Sequence, residues 1–240
     1  MAIAFDASTT MSNTSSFSHT CTGTDRLLVV QIRTQISGGG DCVTGVTYNS
    51  VAMTRINTIR SETNNERGYL YQLVAPATGA NTVTITTSGG PSVVAGATSY
   101  TGVAQSSPID TSGSLSQGSG TSISVSVTTT VDNDWLVGCG DGVTGAGSNF
   151  TPGSNTTERS EFDRNFVFDS NGPQTPTGSY SQNYSWTGSE RTYMLVAAIK
   201  PAASASGPAN LKSYNTNLKA NIKSINTNVI ANVKSLDTNV

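Results

Sequence analysis

Residues 121–130 read TSISVSVTTT, so Ile123, Val125 and Val127 alternate with Ser and Thr. Successive side chains on a strand point to opposite faces, so this segment predicts a strand with one dry and one wet face. Residues 81–87 (NTVTITT) repeat the pattern, and residues 67–74 (RGYLYQLV) place Tyr69, Tyr71 and Leu73 together on one face. Residues 26–36 (RLLVVQIRTQI) are apolar on both parities, which suits an interior strand. Further strands are expected at 43–48 and 51–59, on either side of the Asn49-Ser50 turn, and at 93–100, 134–140, 166–169, 179–186 and 191–200. The connectors expected at 38–40, 76–80, 89–91, 113–120, 145–153 and 171–178 are rich in Gly, Pro and Ser. Roughly ten to twelve short strands of this kind predict an all-β chain, a two-sheet antiparallel sandwich of jelly-roll type over residues 1–201.

The C-terminal segment follows a different rule. Residues 209–218 (ANLKSYNTNL), 220–229 (ANIKSINTNV) and 231–240 (ANVKSLDTNV) are three copies of one phrase with a period of eleven. A unit this short does not close a core alone and becomes stable by stacking on other protein. Its apolar positions are Leu211, Tyr214, Leu218, Ile222, Ile225, Val229, Val233, Leu236 and Val240. Their spacing fits a helical hendecad, whereas the Asn, Thr, Ser and β-branched content and the Asn-Thr-Asn turn chemistry favour short β elements. Burying these nine side chains is worth on the order of 10–20 kcal/mol before entropy and association costs. They form the expected assembly interface, and residues 202–208 (AASASGP) the expected linker.

Charged residues make up only 12% of the chain, and every lysine lies at Lys200 or beyond. Residues 1–199 carry eight Arg against fourteen acids, and residues 200–240 five Lys against one Asp. A basic tail on an acidic body fits nucleic acid only with an Arg cluster or Lys run, and there is none, so no nucleic-acid partner is expected. Residues 1–6 (MAIAFD) lack the basic and apolar regions of a secretory signal, and no apolar run is long enough for a membrane helix. Cys21, Cys42 and Cys139 are odd in number and lack metal spacing, so reduced, partly buried thiols are expected, with a Cys21–Cys42 pair as the alternative.

Candidate chemistry is sparse. A nucleophilic triad would have to use the single histidine, His19, with Cys21 two residues on and therefore on the same strand face. The bland alternative is an exposed polar His. Glu161 and Asp163 form half of a paired-carboxylate motif whose third acid is missing. Asp132-Asn133-Asp134 and Asp169-Ser170-Asn171 could offer oxygen ligands for Ca²⁺, but the reading preferred for both is an ordinary strand-to-strand turn. Gly38-Gly39-Gly40 lacks the Lys-Ser/Thr and helix of a phosphate loop, and no cofactor is expected. Tyr180, Gln182, Tyr184 and Trp186 share one strand face, where rings can stack on sugars and Gln182 can read hydroxyls. The preferred alternative is that the same rings fill the sandwich interior or a subunit contact, because a chain with only 7% aromatics needs most of them inside.

The runs GVTYNSVAMTRI (45–56), GYLYQLVAPATGANTVTIT (68–86), SYTGVAQSSPID (99–110), SVSVTTTVDNDWLVG (124–138) and YMLVAAIKPA (193–202) together resemble a group of β-sandwich proteins. These are abundant in tailed phages and in environmental sequence of phage or bacterial origin. The A-N-I-K-S-I-N phrase of the tail resembles segments common in such phage proteins. The resemblance implies a virion-surface structural role as decoration, fibre or adhesin, and brings no catalytic residues with it. The expectation is therefore a non-enzymatic virion protein, made in the host cytoplasm and exposed after lysis. Its partners would be copies of itself, three by analogy with phage fibres, and other virion proteins. The alternative is a carbohydrate-binding module or adhesin that meets a host surface glycan with the Tyr180–Trp186 face.

Overall fold

The computed structural model describes residues 1–203 apart from 63, 64, 144, 146 and 147, and the nine apolar tail positions lie outside the described residues. In the first half run β1 (Ala4–Ser12), β2 (Ser16–Cys21), β3 (Leu27–Gln35), β4 (Val43–Tyr48), β5 (Val51–Ala52), β6 (Thr54–Arg60), β7 (Glu66–Val74), β8 (Gly79–Thr87) and β9 (Ser92–Thr101). In the second run β10 (Ile109–Gln117), β11 (Ser122–Thr128), β12 (Trp135–Gly142), β13 (Ser148–Pro152), β14 (Thr157–Phe162), β15 (Asn165–Asp169), β16 (Ser179–Thr187) and β17 (Thr192–Ile199). All pairings are antiparallel.

The all-β antiparallel sandwich is as expected, but it occurs twice. In the first half, β1-β9-β3-β7-β6 face β2-β8-β4-β5; in the second, β10-β17-β12-β15-β14 face β11-β16-β13. Strands passing alternately between two sheets in this order make a jelly roll. The two orders coincide once β1 is matched to β10, β3 to β12, β7 to β15 and β9 to β17. Details coincide too. The register slips at Phe5/Ala7 on β1 and at Ile109/Thr111 on β10, and again at Arg55/Asn57 on β6 and Glu158/Ser160 on β14. The Asp6 carboxylate accepts the N–H and hydroxyl of Thr22, and the Asp110 carboxylate accepts the same two groups of Thr130.

Parity along β3 explains how the halves join. Leu28, Val30 and Ile32 pack toward the outer sheet with Tyr48, Val83 and Ile85, whereas Leu27 and Val29 point the other way. There they meet Trp135, Val137, Cys139 and Leu195 of the second inner sheet. Leu136, Met194 and Val196 complete a third core with Val125, Tyr184 and Trp186. The result is four stacked sheets with three apolar interlayers, so both inner sheets are dry on both faces. That is why residues 27–30 read LLVV rather than alternating. Close approach needs missing side chains: a Cβ on Gly68 would lie 2.3 Å from Tyr193 Cε2, and one on Gly138 2.6 Å from Phe168 Cζ. Met1–Ala202 form one compact unit.

Candidate functional site

The aromatic strand is β16, and its face is the inner one. Tyr184 is 1% exposed, and its ring stacks on Phe166 at 4.1 Å between centroids. Trp186 lies against Phe150 at 5.2 Å and donates its indole N–H to the Gly120 carbonyl at 3.0 Å. Gln182 is fully buried and donates to the Asn155 carbonyl, while Tyr180 is half-buried and donates to that of Pro176. The glycan face expected on Tyr180, Gln182, Tyr184 and Trp186 is therefore corrected: these side chains fill the second jelly roll. Ser181, Asn183 and Ser185 take the wetter parity. An outer sheet has one dry face, and the larger apolar rings gain most from it.

His19 and Cys21 do share a face, and it too is the interior one: they are 1% and 0% exposed. His19 Nδ1 lies 2.8 Å from the Thr9 hydroxyl, and its Nε2 has no partner. Burial pushes its pKa down to about 4, against the opposing pull of Asp6, so the ring is neutral. Burial raises the Cys21 thiol. All three cysteines are unpaired and buried. The exposed-histidine reading is thus corrected, and no thiolate–imidazole pair forms.

The acids are distributed among separate tasks. Glu161 is exposed beside the β14–β15 turn, where Asp163 and Arg164 have φ of 44° and 66°, a two-residue hairpin turn rather than half of an acid pair. Asp169, wholly buried, is gripped by both arms of Arg159 at 2.7 and 2.8 Å and accepts from the Tyr100 hydroxyl at 3.1 Å. Asn171 Oδ1 accepts from the same guanidinium at 2.7 Å, so this triplet holds an arginine where Ca²⁺ had been considered. Asp132 accepts the Thr177 N–H at 2.7 Å, and Asn133 turns the chain at φ 68°. Asp134 is wholly buried beside Asp110, yet neither of its oxygens has a hydrogen bond of good geometry. Burial and the Asp110 carboxyl push its pKa up to about 8. Among the described residues, no three His, Cys, Asp or Glu side chains converge where a metal ion could sit.

Polar groups do open to solvent in a cleft of about 420 Å³ where the two jelly rolls meet. From the first come Arg33 on β3, Glu66 on β7 and Asn13 after β1; from the second come Phe162, Asp163 and Arg164 around the β14–β15 turn. Arg33 bonds the Glu66 carboxylate and lies 3.4 Å from Asp141 Oδ2 on β12. Glu66 and Asp141 are each 1% exposed, and Glu66 Oε2 and Asp141 Oδ2 lack hydrogen-bond partners. Burial drives the Asp141 pKa well up, opposed by Arg33 and reinforced by Glu66. Arg164 donates to the Gly142 carbonyl at 3.0 Å and to Asp163 at 3.1 Å. Sequence reasoning passed over Arg33, Glu66 and Asp141. The available signal was a charge set inside or beside an apolar run, as in Q-I-R-T at 31–34.

Comparison with family models, curated proteins and solved structures finds no match.

Proposed function

We propose that this chain is a non-enzymatic structural protein that enters a larger assembly through its C-terminal repeat. Its place in this reading is a virion surface, as decoration, fibre or tail adhesin. One observation carries the proposal: a single chain joins a body with three apolar interlayers of its own to a triplicated segment with nine apolar positions. The body has somewhere to put its greasy side chains; a repeat of eleven residues needs other protein to shelter them. The body's reactive groups support the same reading. Asp169 is tied to Arg159, His19 is walled in, and the thiols are buried. The outer strand β11 turns Ser122, Ser124 and Ser126 to solvent, a weakly charged exterior. The resemblance of the body and tail segments to tailed-phage sandwich proteins supports the virion setting. The partners in this reading are copies of the same chain, three of them, and other virion proteins.

The test compares the full chain with one ending at residue 208, by light scattering during gel filtration and by thermal unfolding. The reading expects the full chain to form a defined oligomer. The shortened chain should run as a monomer with its melting transition retained. Equal masses for the two would remove the repeat from the assembly and end the reading.

A further inference from the structure

We propose that the cleft between the two jelly rolls is a binding site for a neutral saccharide, seated against Phe162 and donating hydroxyls to Glu66. This goes beyond the assembly reading and does not rest on it.

Glu66 is the starting point. One carboxylate oxygen is engaged by Arg33; the other, Oε2, is buried without a partner on a side chain that is 1% exposed and lines the cleft. A buried acceptor left open carries a desolvation cost that an O–H or N–H donor from a ligand relieves. Donors of that kind also find acceptors and donors in the Asn13 and Gln35 amides on the cleft wall. A volume of about 420 Å³ lies within the range of small-molecule sites, roughly 300–1,000 Å³.

Charge decides between donor classes. Arg33 and Arg164 bring two positive charges to the wall, and Glu66 and Asp163 bring two negative ones. Asp141 sits behind Arg33, and burial favours its uncharged form. The wall is balanced, so a phosphate meets two carboxylates and a metal ion meets two guanidinium groups. A polyhydroxylated neutral ligand meets paired donors and acceptors with no net charge to offset. Phe162 adds the remaining requirement. Phe162 is 37% exposed and lines the cleft, so it presents an apolar surface there. The negative face of the ring attracts the weakly positive C–H edge of an apolar surface, and a sugar ring carries such C–H groups on one face.

The experiment uses the full chain on an array of neutral, sialylated and sulfated glycans. Calorimetry then follows with the best binder, with inorganic phosphate and with CaCl₂ as separate probes. Two variants are measured: Phe162→Ala, which removes an exposed ring, and Glu66→Gln, which keeps shape and changes the acceptor. The proposal expects neutral glycans to bind, and each variant to lose at least tenfold in affinity with its far-ultraviolet circular dichroism unchanged. If Glu66→Gln fails to fold, Phe162→Ala alone decides. No neutral glycan binding, binding indifferent to Phe162→Ala, or phosphate or calcium displacing the glycan would each overturn the proposal.

Discussion

Replacing Asp134 by Asn should flatten a pH dependence that this one side chain builds into the body. Asp134 is wholly buried, lies beside Asp110, and has its pKa pushed from 3.8 up to about 8, first by burial and then by the neighbouring acid. A raised folded-state pKa means that the native protein holds the proton after the unfolded chain has released it. This contribution is therefore intact below pH 4 and declines as pH rises toward 8, by about 1.4 kcal/mol per pH unit. Across the window the total is on the order of 5 kcal/mol, a large fraction of a typical folding free energy. His19 opposes it: its folded pKa is lowered from 6.5 to about 4, so its contribution grows as pH rises through that interval and is then constant. The two slopes offset one another between about pH 4 and 6.5, and the Asp134 decline stands clear of His19 from there to about 8. Asn is isosteric, uncharged at every pH, and able to donate to Asp110. Urea unfolding of both proteins at half-unit steps from pH 4.5 to 9 gives the difference in ΔG directly, and Asp141, raised in the same direction, cancels from it. The difference should favour the Asn variant increasingly with pH and level off above about 8. A difference that stays constant over the range would refute the assignment of a protonated Asp134.

Arg159→Ala leaves the buried Asp169 without its two-armed partner and strips the cation from the face of Phe5, 4.0 Å away. A loss of about 3–5 kcal/mol by chemical denaturation is expected, with Arg159→Lys recovering part of it. Gly138→Ala puts a methyl 2.3 Å from the Leu195 carbonyl oxygen and 2.6 Å from Phe168. Because the oxygen belongs to a paired strand and does not yield, the cost should sit at the top of the roughly 1–3 kcal/mol range for overpacking, read as a drop in melting temperature.

How much of this could be read from the residues depended on what the residues had to do. β3 was legible because a strand dry on both faces needs an apolar run, and β4 ends at its Asn49-Ser50 turn with both residues at positive φ. Among the edge strands, β11 was legible from its buried Ile123, Val125 and Val127, but several that bury little were not. Residues 113–120 read as a Gly- and Ser-rich connector, yet β10 continues through Gln117, because an edge strand pairs on one side and few of its side chains must be buried. A similar blindness hid β1, β13 and β14. On β16 the shared parity was legible and the choice between core filling and a sugar face was not fixed by it: period two says which residues share a face, never which face is wet. The cleft was less visible still, since Arg33, Glu66 and Asp141 come from three strands spread over both halves.

The doubling of the fold was hidden for a physical reason. Matching strands need the same parity and the same bulges, but not the same residues. Tyr69 and Tyr71 on β7 stand where Phe166 and Phe168 stand on β15, and Leu27 pairs with Tyr100 where Trp135 pairs with Ile199. Counting from those pairs, Arg33 on β3 and Asp141 on β12 occupy the same position in their jelly rolls, and they meet each other across the interlayer at 3.4 Å. Packing is reciprocal as well: β1 lies against β14 and β10 against β6, each pair being the counterpart of the other. Two identical subunits packed this way would set the same residue against itself near the axis, arginine on arginine or acid on acid. Joining both copies in one chain frees the two positions to differ. Here that freedom puts a guanidinium between Glu66 and Asp141 at the floor of the cleft, a juxtaposition that a symmetric pair of identical rolls has no means of making.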